Sequence, residues 1–359
     1  MKRREFLTTA SVASAAIVAP QWASAQTSLQ WKMVTTWPKN FPGLGTGAES
    51  LARKIESLSG GRLKVRVFGA GELVPPMGVF DAVSRGTVEM GHGAAYYWKG
   101  KHEASQFFAA IPFGMNAVEM NAWLKFGGGQ KLWEELYASF GLVGFAAGNT
   151  GVQMGGWFNK EIKSPADFKG LKMRMPGLGG DVLRSLGCTV VNLAGGEIFQ
   201  ALQTGSIDAT EWVGPYNDLA FGLQQISKFY YFPGWHEPGT TIEAMINKKA
   251  FDALSKDLQA IVREACAAAH DEMLAEMTLR NASALETLIQ KHKVQLRRFS
   301  DETLKQLEGK SQEVVRAIAA KDSFTKKVFD SFLNARRQSM LWSKNGEEAF
   351  AASRTEWKI

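Results

Sequence analysis

The sequence predicts an α/β chain folded as two lobes about a hinge, with one long helix spanning both lobes and a helical tail. Three observations lead there. The 359 residues exceed what one hydrophobic core usually organises. Short apolar runs alternate with helical periodicity through the first two thirds, and from Lys248 onward the pattern is almost wholly helical.

Taken in order, 29–35 reads as a strand and 47–58 as a helix whose apolar positions recur three and four apart. Gly60-Gly61 turns the chain into the alternating run 63–68. Pro75-Pro76 opens a helix carrying Val79, Phe80 and Val83, followed by a strand at 88–91, a helix at 116–140 and a strand at 142–147. The middle repeats the scheme: strands at 152–159, 170–174 and 189–191, helices at 179–186 and 197–203, and a strand or turn at 208–213. Helices follow at 254–291, 300–320 and 324–344, the second capped by Ser300 with acid in its first turn. These elements divide the chain into 26–150 as mainly lobe I, 151–240 as mainly lobe II, 241–292 crossing back along the spanning helix, and 293–359 as C-terminal helices.

The start has the form of a twin-arginine export signal over 1–25. Lys2-Arg3-Arg4 precedes Phe6-Leu7, a modest apolar stretch follows, and Ala23-Ser24-Ala25 supplies small residues for cleavage. The mature chain is expected to begin near Gln26, outside the cytoplasm, in the periplasm. Its formal charge falls from +7 to +5, since Lys2, Arg3 and Arg4 leave together with Glu5. That basicity is dispersed among acids, with no basic stripe and stacking aromatics of the kind that binds nucleic acid. Cys188 and Cys266 are too few for a disulfide framework and read as free thiols. The five histidines match no metal-ligand spacing, and His270 and His292 fall on polar helix faces, where solvation is expected.

In open α/β sheets ligands sit at strand ends, so the loops there carry the chemistry. Segments 93–100, 148–157, 171–177, 208–216 and 233–239 are dense in glycine, aromatics and polar groups. Glycine lets backbone approach a ligand closely, and aromatics build rigid walls. Arg174 is the leading residue: a guanidinium fork meets a carboxylate with two parallel charge-assisted hydrogen bonds. On the residues alone it reads sooner as a surface arginine sharing a strand face with Lys172, because exposed arginines are common. Likewise Glu211 reads as a solvated loop acid and Gln153 as a strand-face amide.

The runs Gly-Asn-Thr-Gly-Val-Gln-Met-Gly-Gly-Trp (148–157), Gly-Leu-Lys-Met-Arg (170–174) and Asp-Ala-Thr-Glu-Trp-Val-Gly-Pro-Tyr (208–216) shift that balance. They resemble the substrate-binding subunits of tripartite ATP-independent periplasmic (TRAP) transporters, closest to the branch that binds α-keto acids with a cation. The likeness runs along essentially the whole mature chain. It implies a periplasmic-binding-protein-like fold that is no enzyme but captures a monocarboxylate such as pyruvate or 2-oxobutyrate and delivers it to a TRAP membrane permease. It also implies that Arg174 grips the carboxylate and that Gln153, Glu211 and the Trp212 carbonyl hold the cation. Tyr96, Tyr97, Asn149, Trp212 and Glu237 then complete the pocket, with strand alternation turning only one of the two tyrosines inward. Sodium is expected ahead of calcium, because no second acidic ligand is evident, and no organic cofactor is implied. The apolar tail, with Phe329, Phe332, Leu333, Met340, Leu341 and Trp342, packs on its own chain or pairs two copies as a homodimer.

Two other readings remain open at this stage. A 2-hydroxy acid such as lactate with calcium fits the same head-group chemistry. An exported hydrolase could use Thr150, Glu211 and His236, but the chain has no Gly-x-Ser-x-Gly elbow and no base fixed beside Thr150.

Overall fold

The computed structural model describes residues 28–355, so the proposed export signal lies outside the described residues. Two mixed sheets organise the chain, each clothed by helices. The first has the order β2-β1-β3-β10-β4. Its members are β1 (Leu29–Thr35), β2 (Leu63–Phe68), β3 (Met90–Gly93), β4 (Leu142–Asn149) and β10 (Thr241–Asn247). The second runs β11-β9-β5-β8-β6-β7. It comprises β5 (Gly156–Phe158), β6 (Lys172–Arg174), β7 (Thr189–Val191), β8 (Ala209–Thr210), β9 (Phe229–Phe232) and β11 (Gln295–Arg298). Within the first sheet β1 pairs parallel to β2 and β3, whereas β10 runs antiparallel to β3 and β4. In the second, β6 pairs parallel to both β7 and β8, setting Arg174 opposite Val191 and Thr210.

All four strands of the first sheet drawn from 29–149 run the same way, and the carboxyl ends of β3 and β4 meet in one region: β3 leads into Tyr96, and β4 ends at Asn149. The carboxyl ends of β6 and β8, at Arg174 and Thr210, reach the same region from the second sheet. Trp212 bridges the two, packing edge-on against Trp37 and Phe41, while Phe41 stacks on Phe221 with ring centroids 4.3 Å apart. At the rim Lys99 pairs with Asp181 at 2.8 Å.

The helix Lys256–Gln290 has 35 residues, and none of the described helices is long and apolar enough to cross a membrane. Its stripe Val262, Cys266, Ala269, Met273 and Met277 is buried. His270 lies in that stripe, four residues beyond Cys266, and is only 4% exposed, which corrects the expectation of a solvated face. Burial pulls its pKa down to about 4. The helix predicted over 116–140 is two, Ala117–Phe126 and Gly129–Ala138, because Gly128 takes a left-handed φ of +87° between them. The strand expected from 152 starts only at Gly156, so Gln153 lies on a loop between the sheets rather than on a strand face.

Both cysteines are free and buried, each thiol pushed up to about 12 by burial. The tail helix Ser323–Ser343 buries Val328, Phe332 and Ala335 against its own chain, while Leu341 and Trp342 stay exposed.

Strand β10 carries a fully buried acid, Glu243, which accepts hydrogen bonds from Trp98 Nε1 and Tyr137 Oη. Burial raises its pKa from 4.5 to about 7, against the pull of those two donors. Between these values the folded state keeps a proton that the unfolded chain releases, so this group's contribution to stability falls as pH rises through the window. Glu243→Gln should therefore gain stability relative to wild type between about pH 5 and about pH 8 in thermal melts, and a pH-independent difference would contradict the assignment.

Candidate functional site

Six buried polar side chains gather where the strand ends converge: Gln153, Arg174, Glu211, His236, Glu237 and Thr240. Arg174 arrives as the last residue of β6, and Glu211 directly follows β8. Because β6 and β8 are hydrogen-bonded neighbours, the two are brought side by side, and Glu211 N donates to the Arg174 carbonyl at 3.3 Å. Their side chains form an ion pair through Arg174 Nη1 and Glu211 Oε1, with each side chain only 1% exposed. Nη1 also donates to the Glu211 carbonyl at 3.0 Å, and Nε to the Leu193 carbonyl at 3.2 Å. Nη2 is buried without a partner. The indole of Trp212 lies 5.1 Å from the guanidinium carbon, holding its plane by a cation–π contact. Arg174 is thus no surface residue.

The loop from Asn149 to Gly155 is laced to the segment 233–240 by backbone bonds, with Gln153 N donating to the Glu237 carbonyl at 3.1 Å. Gly234 permits this approach, since a Cβ there would stand 2.1 Å from the Gln153 carbonyl oxygen. Gln153 Nε2 donates to Glu237 Oε2 at 2.8 Å, with Thr150 and Thr240 also in reach. These acceptors fix the amide so that Oε1 faces away, buried and unpartnered. An orphaned amide oxygen is what a hard cation would take.

Glu211 Oε2 lies 3.4 Å from His236 Nε2. Ligand atoms of Glu211, His236 and Glu237 all fall within 4.8 Å of one another. Burial raises Glu211 to about 7 despite Arg174, and raises Glu237 to about 7 with help from the nearby Glu211. His236 is pulled down to about 4 by burial, so it stands there neutral. Two carboxylates costly to ionise, with one guanidinium between them and solvent excluded, form a site short of positive charge. The donor set of two carboxylates and one free amide oxygen fits a sodium or calcium ion.

A narrow cavity of about 10 Å³ borders this cluster, walled by Trp37, Leu44, Tyr96, Tyr97, Trp212 and Ile242 among others. Roomier hollows lie between the tail helices and the 111–114 loop and beside His270, but neither holds a comparable group of buried charges. Both tyrosines line the cavity, contrary to the expectation of one. The reason is local: 95–98 is a 3₁₀ turn, not a strand, so the period-two rule has no hold. Asn149 does not line it. Its amide donates to the Gly239 carbonyl and its oxygen accepts from Gly151 N, which shapes the loop that presents Gln153. Glu237 contacts Gln153 and Thr240, and it is a second acid beside Glu211, so the acidic ligands present no longer favour sodium over calcium.

The sequence does not single out Thr240 or Asp218, and it points to His236 only through the hydrolase reading, not as a neighbour of Glu211. Asp218 accepts from Trp157 Nε1, Tyr230 Oη and Val213 N, anchoring the chain just after Trp212. The usable signal was the run Trp235-His236-Glu237, where two adjacent ligand-type side chains follow an aromatic.

Comparison with known proteins identifies the family. Residues 33–322 match the model of the bacterial extracellular solute-binding protein family 7. A monocarboxylate 2-oxoacid-binding periplasmic protein of Nostoc sp. (strain PCC 7120) is 43% identical over 98% of this chain and 100% of its own. A TRAP periplasmic solute-binding protein from Pseudoalteromonas atlantica T6c, crystallised with sodium and pyruvate, superposes with a TM-score of 0.89 at 40% identity, covering 91% of this chain and 100% of its own. One from Colwellia psychrerythraea, with calcium and pyruvate, gives the same TM-score, identity and coverage. The chain belongs to the bacterial extracellular solute-binding protein family 7, the solute receptors of TRAP transporters.

Proposed function

We propose that this protein is a periplasmic receptor for a small 2-oxo monocarboxylate, pyruvate being the first candidate, and that it takes the acid together with one sodium or calcium ion. The observation that carries the reading is the buried Arg174, aimed into a dry site beside the unpartnered Gln153 oxygen and two carboxylates. The relatives' bound pyruvate with sodium or calcium supports it. In this reading Arg174 takes the acid's carboxylate, Gln153, Glu211 and Glu237 take the cation with the Trp212 carbonyl, and Tyr96 and Tyr97 face the acid from the other sheet. The wall of Trp37, Leu44 and Ile242 offers apolar contact to a short tail and no partner to a second charge.

Binding is the whole task assigned here. The carboxylates are spent on Arg174, Gln153 and Thr240, and Thr150 donates to the Gly151 carbonyl rather than to a base. The lobes, divided as 26–150 with the spanning segment and 151–240, close on the acid, and the closed form is offered to a TRAP permease. The exposed Leu341, Trp342 and Phe350 support pairing of two copies through the tail.

Calorimetry should find saturable pyruvate binding, with the acid recovered unchanged. Arg174→Lys keeps the charge but loses the fork, and should weaken affinity about 100-fold while the protein stays folded. Undiminished affinity would remove Arg174 from the site. Stripping the protein with chelator in sodium-free buffer should weaken pyruvate binding, and restoring either ion should return it; indifference to both ions would rule out the cation. Light scattering should find a dimer that Trp342→Glu splits, whereas a monomeric wild type would refute the pairing.

A further inference from the structure

We infer that Glu211 serves two partners in turn: it holds Arg174 until a cation arrives, and only its departure opens the guanidinium to the acid. This rests on the receptor reading above and specifies how the two ligands of that site are coupled.

A carboxylate received by two parallel bonds needs two adjacent N–H groups on one edge of the guanidinium. Arg174 has no such edge free. Its single Nε–H is given to the Leu193 carbonyl, closing the Nε/Nη2 edge. The two Nη1 hydrogens go to the Glu211 carbonyl and to Glu211 Oε1. Nη2 alone is open, and one nitrogen is not a fork. The Leu193 and Glu211 carbonyls belong to the main chain and stay. The one contact a side-chain movement can release is Glu211 Oε1, and its release opens the Nη1/Nη2 edge.

The groups that would draw Glu211 away lie on its other side. His236 Nε2 faces Oε2, the Glu237 carboxylate falls within the same 4.8 Å group, and Gln153 Oε1 is unpartnered. A cation received there compensates Glu211 for the lost guanidinium, so the exchange leaves no buried charge alone. An acid arriving without a cation must break the pair and leave Glu211 uncompensated. The two ligands therefore strengthen each other, and each does so by the same factor.

Direct contact between acid and cation would also couple them, so the test must separate the two. Glu211→Gln keeps the shape, removes the charge that ties Nη1, and leaves Gln153 and Glu237 in place. Pyruvate is titrated by calorimetry into protein stripped of sodium and calcium, with thermal melts to verify folding. The stripped variant is expected to bind pyruvate at least about tenfold more tightly than stripped wild type, and added calcium should change its affinity by less than about twofold. A stripped variant that binds no better than stripped wild type overturns the inference and leaves the receptor reading intact. Failure of calcium- or sodium-replete wild type to bind pyruvate sinks the reading itself, and this inference with it. Should Glu211→Gln not fold, the converse decides: Arg174→Gln, with no charge to tie Glu211, should bind calcium about fivefold more tightly than wild type with no acid present, and an unchanged or weaker affinity overturns the proposal.

Discussion

One constraint governs the site: the Arg174–Glu211 ion pair lies almost wholly out of water. Removing two charges from solvent costs several kcal/mol each, and their attraction offsets this only when geometry and further hydrogen bonds are good. Here β-sheet pairing supplies the geometry, since both residues come from the ends of adjacent strands. The main-chain carbonyls of Leu193 and Glu211 and the face of Trp212 satisfy much of what remains. What is left over is one guanidinium nitrogen, one amide oxygen and a second carboxylate, all buried and all pointing to ligands of opposite character. A fold that wanted stability alone would place apolar side chains there.

The surrounding structure supports that pair in layers. Asp218, held by Trp157, Tyr230 and the Val213 backbone, steadies the turn that presents Trp212. Thr240 and Glu237 fix the Gln153 amide, and Gly234 lets the two loops touch. From the first sheet, Trp37 and Phe41 meet Trp212 edge-on, and Lys99 reaches Asp181 at the rim. These contacts exist only while the two sheets stand together, so a ligand that fills the site between them favours the closed arrangement by that difference.

Much of this was legible in the sequence because it follows local rules. Strands 29–35, 63–68 and 189–191 and the long helices showed their periods openly, and Ser300 caps its helix by accepting from Thr303 N. Arg174 and Glu211 were reachable through motif likeness, although nothing local says that they touch. The errors have physical causes. β10 is buried along its whole length with a charged residue in its middle, so it shows neither alternation nor a clean apolar run. Gly127-Gly128 interrupts what looks periodic, and the 3₁₀ turn at 95–98 brings both tyrosines inward. His270 looked solvated because the helix that carries it is covered on more than one side. The partnership of Gln153 with Glu237, 84 positions apart, is a product of tertiary structure alone.

The central claim is that one small acid and one metal ion are held together in a single dry site. Native mass spectrometry of protein incubated with pyruvate and calcium addresses it in one spectrum. The account predicts a species heavier by one pyruvate plus one calcium, with the singly loaded forms scarce beside it. Pyruvate adducts equally abundant with and without the metal, or none at all, would contradict it.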